Sequence, residues 1–156
     1  MSSPVELRLA TAGDVSDIAA LSRDAIERGL PWRWTAERVR RCLRDAATNV
    51  VVSRDAERLR GFGIMRYGDE DAHLLLFAVH PACRRYGVGS AVLDWLEAVA
   101  RTAGVQRVLL ECRRDNEAAR HFYNAQGYHE RVIVRRMYEG IEDGIRLEKW
   151  LRAGAG

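Results

Sequence analysis

Apolar and polar residues alternate with period two over "VELRLA" (5–10), the pattern of a strand with one buried face. The period then lengthens. Ile18, Leu21, Ala25 and Ile26 recur at helical spacing and predict a helix over roughly 14–28, with capping residues available from Thr11 to Asp14. "PWRW" interrupts it, and Val39, Cys42 and Leu43 mark a second helix across 35–46, headed by Thr35 but lacking a full capping box because Arg38 stands three residues on. "NVVVSRD" and "RLRGFGIMRYG" read as two strands of a hairpin around Asp55-Ala56-Glu57, and "AHLLLFAVH" follows as a third. That last run is apolar throughout, so both of its faces should be covered.

In the second half, Val88, Val92, Leu96 and Val99 set one face of a helix over about 88–103, and Gly104 stands where a left-handed C-cap belongs. "VQRVLLECR" predicts a buried strand. Asp115 or Asn116 caps a helix to about Gln126, Gly127 ends it, and "YHERVIVRRMYE" and "GIRLEKWL" are two final strands. The order is β-α-α-β-β-β-α-β-α-β-β. One strand-helix-strand unit among hairpins predicts an α+β protein with a mixed sheet, not a doubly wound parallel fold. No repeat or linker divides the chain, so a single domain over 1–156 is expected, with a core burying about 70% of the unfolded surface.

Composition narrows the classes. Apolar residues make up 47% and charged residues 30%, which excludes a disordered chain, and no apolar run approaches the roughly 18 residues of a spanning helix. "MSSPVELRLATAG" lacks the pattern of an export leader, so a cytoplasmic location is expected. Cys42, Cys83 and Cys112 are odd in number and widely spaced, which points to reduced thiols. With no metal-ligand spacing at those cysteines or at His73, His121 and His129, no metal is expected. The 25 Lys+Arg include a single lysine, Lys149. Arginine's planar fork suits phosphate and carboxylate, although a GC-rich genome gives the same total. The arginines alternate with Asp and Glu and form no helix-turn-helix or aromatic-basic signature, so neither nucleic acid nor membrane is expected as a partner.

Two places carry candidate chemistry. "RRYGVG" (84–89) lies at a strand-to-helix junction, where free helix N–H groups and the macrodipole favour an anion. On spacing alone it either holds a phosphate or merely turns. It is not a nucleotide loop of the familiar kinds: G-x-x-x-x-G-K-[ST] is absent, and Val92 occupies the third glycine position of G-x-G-x-x-G. Glu111, in the middle of "RVLLECR", is a carboxylate in a strand that otherwise reads as buried. Such burial is costly unless the group serves a site or pairs with one of the many arginines.

"VHPACRRYGVGSAVLDWLE" resembles motif A of the GNAT N-acetyltransferases, and "LLECRRDNEAARHFYNAQGY" resembles their motif B at the expected distance, the two covering about 50 contiguous residues. The element order fits the GNAT fold, whose central sheet is mixed, mostly antiparallel and of about seven strands, with four helices. Within the family, "LPWRW", "LLECRRDN" and "RRMYEGIEDGI" are most similar to the RimI-type ribosomal-protein-alanine N-acetyltransferases. The resemblance implies acetyl-CoA as cosubstrate and an amine acceptor, either a protein N-terminus or a small amine. A CoA-binding module without turnover is the alternative. It implies a monomer or homodimer.

By the same resemblance, backbone amides of Arg84, Arg85, Tyr86, Gly87, Val88, Gly89 and Ser90 cradle the pyrophosphate. Phe77, Ala78 and Val79 offer strand-edge groups to the pantetheine, and an N–H near Val79 stabilises the oxyanion. Asn116 bonds the pantetheine arm, with helix N-capping as its rival reading. Tyr123 is implied as the acid that protonates the departing thiolate, with a place in the core beside Phe122 as the alternative and Tyr128 as a packing aromatic. Glu111, twelve residues earlier, is implied as the base. An α-amine of pKa about 7.7–8.0 asks less of a base than lysine at about 10.4. Tyr138 is implied to face the acceptor, while Trp32 and Trp34 either line that groove, as the resemblance implies, or plug the gap between the first two helices. Glu142 and Asp143 are candidate carboxylates of the acceptor site. His80 reads as a turn residue and Cys112 as a small buried one. Glu139 stands where the family has a second tyrosine, a departure in the acceptor region.

Overall fold

Strands and helices close into a seven-stranded sheet of order β1-β2-β3-β4-β5-β7-β6 in a computed structural model that describes residues 5–138, 140 and 142–151. The strands are β1 (Arg8–Leu9), β2 (Thr48–Arg54), β3 (Leu59–Tyr67), β4 (Asp71–Val79), β5 (Arg107–Arg113), β6 (His129–Tyr138) and β7 (Glu142–Trp150). The helices are α1 (Val15–Ala25), α2 (Ala36–Arg44), α3 (Val88–Thr102) and α4 (Glu117–Ala125), so the order follows the sequence reading. β4 and β5, joined through α3, are the only parallel neighbours among the described strands. No helix among the described residues is long and apolar enough to cross a membrane.

The uniform apolar run in β4 is explained by cover on both faces together with a bulge. Ile64 pairs with Leu76 and Met65 with Leu74, so Leu75 is an extra residue that shifts the alternation. Before it, Ala72 and Leu74 join the core beneath α3; after it, Leu76 and Ala78 join the core beneath α1 and α2, while Phe77 and Val79 lean toward α3. Val15, Ile18 and Leu21 of α1 and Val39 of α2 pack on Val50, Val52, Phe62 and Ile64. On the other side α3 sets Val92, Leu96 and Ala100 against Val51, Met65, Val108 and Leu110. Gly63 permits this approach, since a Cβ there would lie 2.7 Å from Leu96 Cδ1 and 2.9 Å from Val92 Cγ1.

Two boundaries depart from the sequence reading. The strand expected over 5–10 pairs only at Arg8 and Leu9, both exposed, because it meets a single neighbour, β2, at the sheet's edge. Val5 and Leu7 supply the alternation by packing beneath α3 without joining the ladder. The first helix, expected to reach residue 28, ends at Ala25 because Glu27 turns back. Its buried carboxylate accepts from Ser22 Oγ at 3.0 Å and from the N–H groups of Arg33 and Trp34 at 2.6 and 3.0 Å, which fixes the loop before α2.

Asp14, buried at the start of α1, accepts two bonds from Arg8 at 2.7 and 3.0 Å, one from Arg54 at 3.2 Å and one from Thr11 N–H at 2.8 Å. The Arg8 hydrogen bonds outweigh burial, and the Thr11 amide and the two guanidinium charges assist, so the carboxyl is held down at about 2. The folded value lies below the unfolded one of about 3.9, so the stabilisation is complete above that value and vanishes as pH falls through the folded one. Asp14→Asn should cost about 2 kcal/mol near neutral pH and almost nothing at about pH 2. Urea denaturation of both chains across that range measures it; a constant difference would refute the linkage.

Candidate active site

β4 and β5 pair only from Asp71↔Arg107 to Leu74↔Leu110. Beyond that point, among the described residues, β4 pairs with β3 alone and β5 with β7 alone, so their facing edges separate and leave backbone groups of Phe77, Ala78 and Val79 without a described strand partner on one side. The chain leaves β4 through a short turn in which His80 Nδ1 accepts Ala82 N–H at 3.1 Å, the turn role expected of it. Arg85 (φ 70°) and Gly87 (φ 80°) adopt left-handed conformations, and α3 begins at Val88 with no side chain bonded to its first amides. Nothing lies within 4 Å of a Cβ placed on Gly87, so its glycine answers to the backbone angle and the hollow above it stays open.

The walls of this turn are fixed from behind. A Cβ on Gly89 would lie 3.2 Å from both Phe77 and Phe122, whose rings stack at 5.5 Å. Ser90 Oγ accepts from Gln126 Nε2 at 3.0 Å, which ties the first turn of α3 to the end of α4. Free amides at a helix N-terminus, left-handed residues, and the exposed guanidinium groups of Arg84 and Arg85 together suit a phosphate group.

The two faces of β5 carry different chemistry. Val108, Leu110 and Cys112 are buried toward α3 and α4, and Arg107, Leu109, Glu111 and Arg113 point to the opposite face. Glu111 is the first residue beyond the last β4–β5 pair. Its side chain is 12% exposed, with Oε1 lying 2.6 Å from His73 Nε2 and Oε2 accepting from Arg146 Nε at 3.1 Å. Burial pushes this carboxyl up, but the His73 hydrogen bond and charge, with the Arg146 contributions, outweigh it and hold the group below the usual glutamate range. The arginine pairing anticipated as the alternative to a catalytic role is therefore present, and it sits at the strand separation. An ionised Glu111 only accepts, so the proton of this contact belongs to His73 Nε2.

Tyr123 stands on the other face. It is buried by Phe77, Phe122 and Tyr128 at ring separations of 5.9, 5.5 and 5.9 Å. Its hydroxyl has no hydrogen-bond partner among the described residues, and burial, then the nearby Cys112 and Tyr138, push it well above the ordinary phenol range. Tyr128 donates to Glu97 Oε2 at 2.9 Å, and Glu97 Oε1 is held at 2.8 Å by Lys149, the one lysine of the chain. Burial raises the Cys112 thiol to about 11, consistent with a packing role. Asn116 caps α4, its Oδ1 accepting Ala119 N–H at 3.0 Å, which leaves its amide NH2 for any ligand.

Tyr138 is brought between these groups. Its hydroxyl is raised by burial first and then by Cys112 and Glu111, while Arg113 opposes. A register break between Val134 and Tyr138, with Arg136 at φ 51° and its N–H on Asp143 Oδ1 at 2.9 Å, sets the strand's course there. Gly144 makes room for the ring: a Cβ would lie 3.1 Å from Tyr138 Cε2. Trp32 is 42% exposed beneath Arg23, whereas Trp34 is buried in the core of α1 and α2, where it plugs the gap between those helices.

Glu142 and Asp143, the candidate carboxylates of the acceptor region, are each paired with an arginine. Arg113 pairs with Glu142 at 2.5 Å and Arg114 with Asp143 at 3.1 Å. Arg113 also donates to Arg28 O at 2.6 Å, bridging the loop after α1 to the start of β7. Glu139 lies outside the described residues. The sequence reading weighed His73 only for metal-ligand spacing and singled out none of Arg146, Arg113 and Glu27; Arg113 carries one signal, since it stands two residues from Glu111 and so shares its face. No group of His, Cys, Asp and Glu among the described residues could hold a metal ion.

The sequence model of the acetyltransferase (GNAT) family matches residues 17–128. An uncharacterised N-acetyltransferase of Methanocaldococcus jannaschii is 36% identical over 88 residues, 56% of this chain and 55% of the relative. The [ribosomal protein bS18]-alanine N-acetyltransferase of Salmonella typhimurium is 35% identical over 92 residues, 57% of this chain and 62% of the relative. The match thus spans little more than half the length of these curated relatives. The crystal structure of the ribosomal-protein-S18-alanine N-acetyltransferase from Escherichia coli superposes with a TM-score of 0.79 at 24% identity, covering 97% of each chain, a likeness of fold.

Proposed function

The chain belongs to the acetyltransferase (GNAT) family, and on that premise we propose that it transfers the acetyl group of acetyl-CoA to a primary amine by direct attack in a ternary complex. The observation that carries this reading is the strand separation beyond Leu74 and Leu110, with an anion cradle at its end, a carboxylate on one face and a phenol on the other. The cradle fits a pyrophosphate, with amides from Arg84 to Ser90 to hold it and the open edge of Phe77 to Val79 to pair the pantetheine arm. When bound, acetyl-CoA supplies an activated thioester acyl group.

The chain's own residues then divide the proton transfers. Glu111 takes a proton from the acceptor ammonium, directly or through water, on the face of β5 that it shares with Arg113. Tyr123 gives its hydroxyl proton to the departing sulfur from the opposite face; the second N–H proton, lost from nitrogen as the amide forms, goes to water, and the phenol regains its proton from solvent. An N–H near Val79 stabilises the developing oxyanion. Because base and acid stand on opposite faces, the amine enters on one side of the sheet and the thiol leaves on the other. Neither proton need cross the reacting carbon.

For the acceptor we infer an α-amine of a protein N-terminus, with Trp32 and Tyr138 beside its path. The 35% identity to a bS18-alanine enzyme over 92 residues supports this, as does the lower pKa of an α-amine, about 7.7–8.0, which a carboxylate held below its usual range can still serve. The test is to incubate the protein with acetyl-CoA and alanine-initiated peptides, following thiol release and peptide mass. The α-amine should gain one acetyl group while lysine side chains do not. Turnover confined to small amines would move the acceptor to that class, and thiol release with none would leave only a CoA-binding module.

A further inference from the structure

We propose that His73 is a positioning residue for Glu111, fixing its carboxylate through Nε2–H so that a free lone pair faces the separation of β4 and β5. The inference rests on the reading of Glu111 as the base. Three adjacent strands build the arrangement. Arg146 is the direct cross-strand partner of Glu111 on β7, and His73 on β4 pairs with Leu109, two residues before it on the same face of β5. The two donors reach one carboxylate oxygen each, from opposite flanks, at 2.6 and 3.1 Å. Each oxygen is engaged by one donor and so keeps a second lone pair to take a proton from the amine.

Around the pair, Arg66 is the β3 partner of His73, Asp71 is engaged by Arg107, Arg113 shares the Glu111 face of β5, and Tyr138 lies near enough for the Glu111 charge to act on its hydroxyl. The His73 side chain is 43% exposed, so water reaches this face. In the step itself the ammonium N–H bond breaks and an O–H bond forms on Glu111, while His73 keeps its own proton on Nε2. Water then takes the proton from Glu111. Without His73, burial is opposed by Arg146 alone, and the carboxyl should protonate at higher pH.

The experiment uses the full chain with acetyl-CoA and an alanine-initiated peptide. His73→Leu should lower kcat about tenfold, leave the acetyl-CoA KM unchanged, and move the acid limb of the kcat profile up by about one pH unit. His73→Gln, which retains an N–H donor, should recover most of the kcat. A carbon-13 titration of the Glu111 carboxyl in the free protein reads the same shift with no acceptor present. Coincident pH profiles and carboxyl titrations in wild type and His73→Leu would overturn the inference. Full turnover in Glu111→Gln would instead overturn the reading of Glu111 as base, so the two failures are distinguishable.

Discussion

Tyr123→Phe is expected to lower kcat by about 10²–10³-fold while the affinity for acetyl-CoA changes little. Phenylalanine keeps the ring contacts with Phe77, Phe122 and Tyr128, so the fold and the packing behind the cradle survive the change. Only the hydroxyl is removed, and that group makes no hydrogen bond within the described protein. Its elevated pKa keeps it protonated through the working pH range, as an acid must be at the start of each turnover. Without it the sulfur must leave as a thiolate into a buried, apolar wall, where charge is strongly disfavoured. Thiol release at saturating substrates measures kcat, and calorimetric titration with acetyl-CoA measures affinity. Unchanged turnover would remove Tyr123 from the chemistry.

Local pattern reported well on the elements and poorly on what joins them. Helical spacing in "VGSAVLDWLEAVA" and alternation in "VQRVLLECR" located α3 and β5, because each is dictated by burial of near neighbours. The bulge at Leu75 could not be read in the same way. A bulge is a two-against-one count between paired strands, and it exists only once β3 and β4 are in register. The sequence did show Glu111 as an expensive residue in a buried strand. It did not show what makes the residue affordable, since His73 and Arg146 are 38 and 35 positions away. The same limit hides the partners of Glu142 and Asp143, since Arg113 and Arg114 reach them only once β5 and β7 are paired. Glu27 was hidden for a local reason: it continues a helical pattern, and only its bonds to Arg33 and Trp34 reveal that it ends one.

Glu111→Gln should lower kcat about 100-fold at neutral pH, with a defect that shrinks as pH rises. In the wild type the carboxyl is held below the usual glutamate range, so it stays ionised and ready to take a proton well into mild acid. Glutamine removes that acceptor, and the amine must then reach the cleft already neutral. The neutral fraction grows tenfold per pH unit until the α-amine pKa of about 7.7–8.0 and then levels off. The variant's rate should therefore climb through that range while the wild type's stays flat, leaving a gap of about ten- to twentyfold in mild alkali. Tyr123→Phe should behave differently, because its lost proton is delivered after attack, and its defect should be constant over the same range. Glutamine can still accept from Arg146, which lies 45% exposed, so thermal stability should change little. Parallel pH profiles for the two variants would mean that Glu111 does not act on the amine's proton. Diverging profiles would separate the two proton transfers, one on each face of β5.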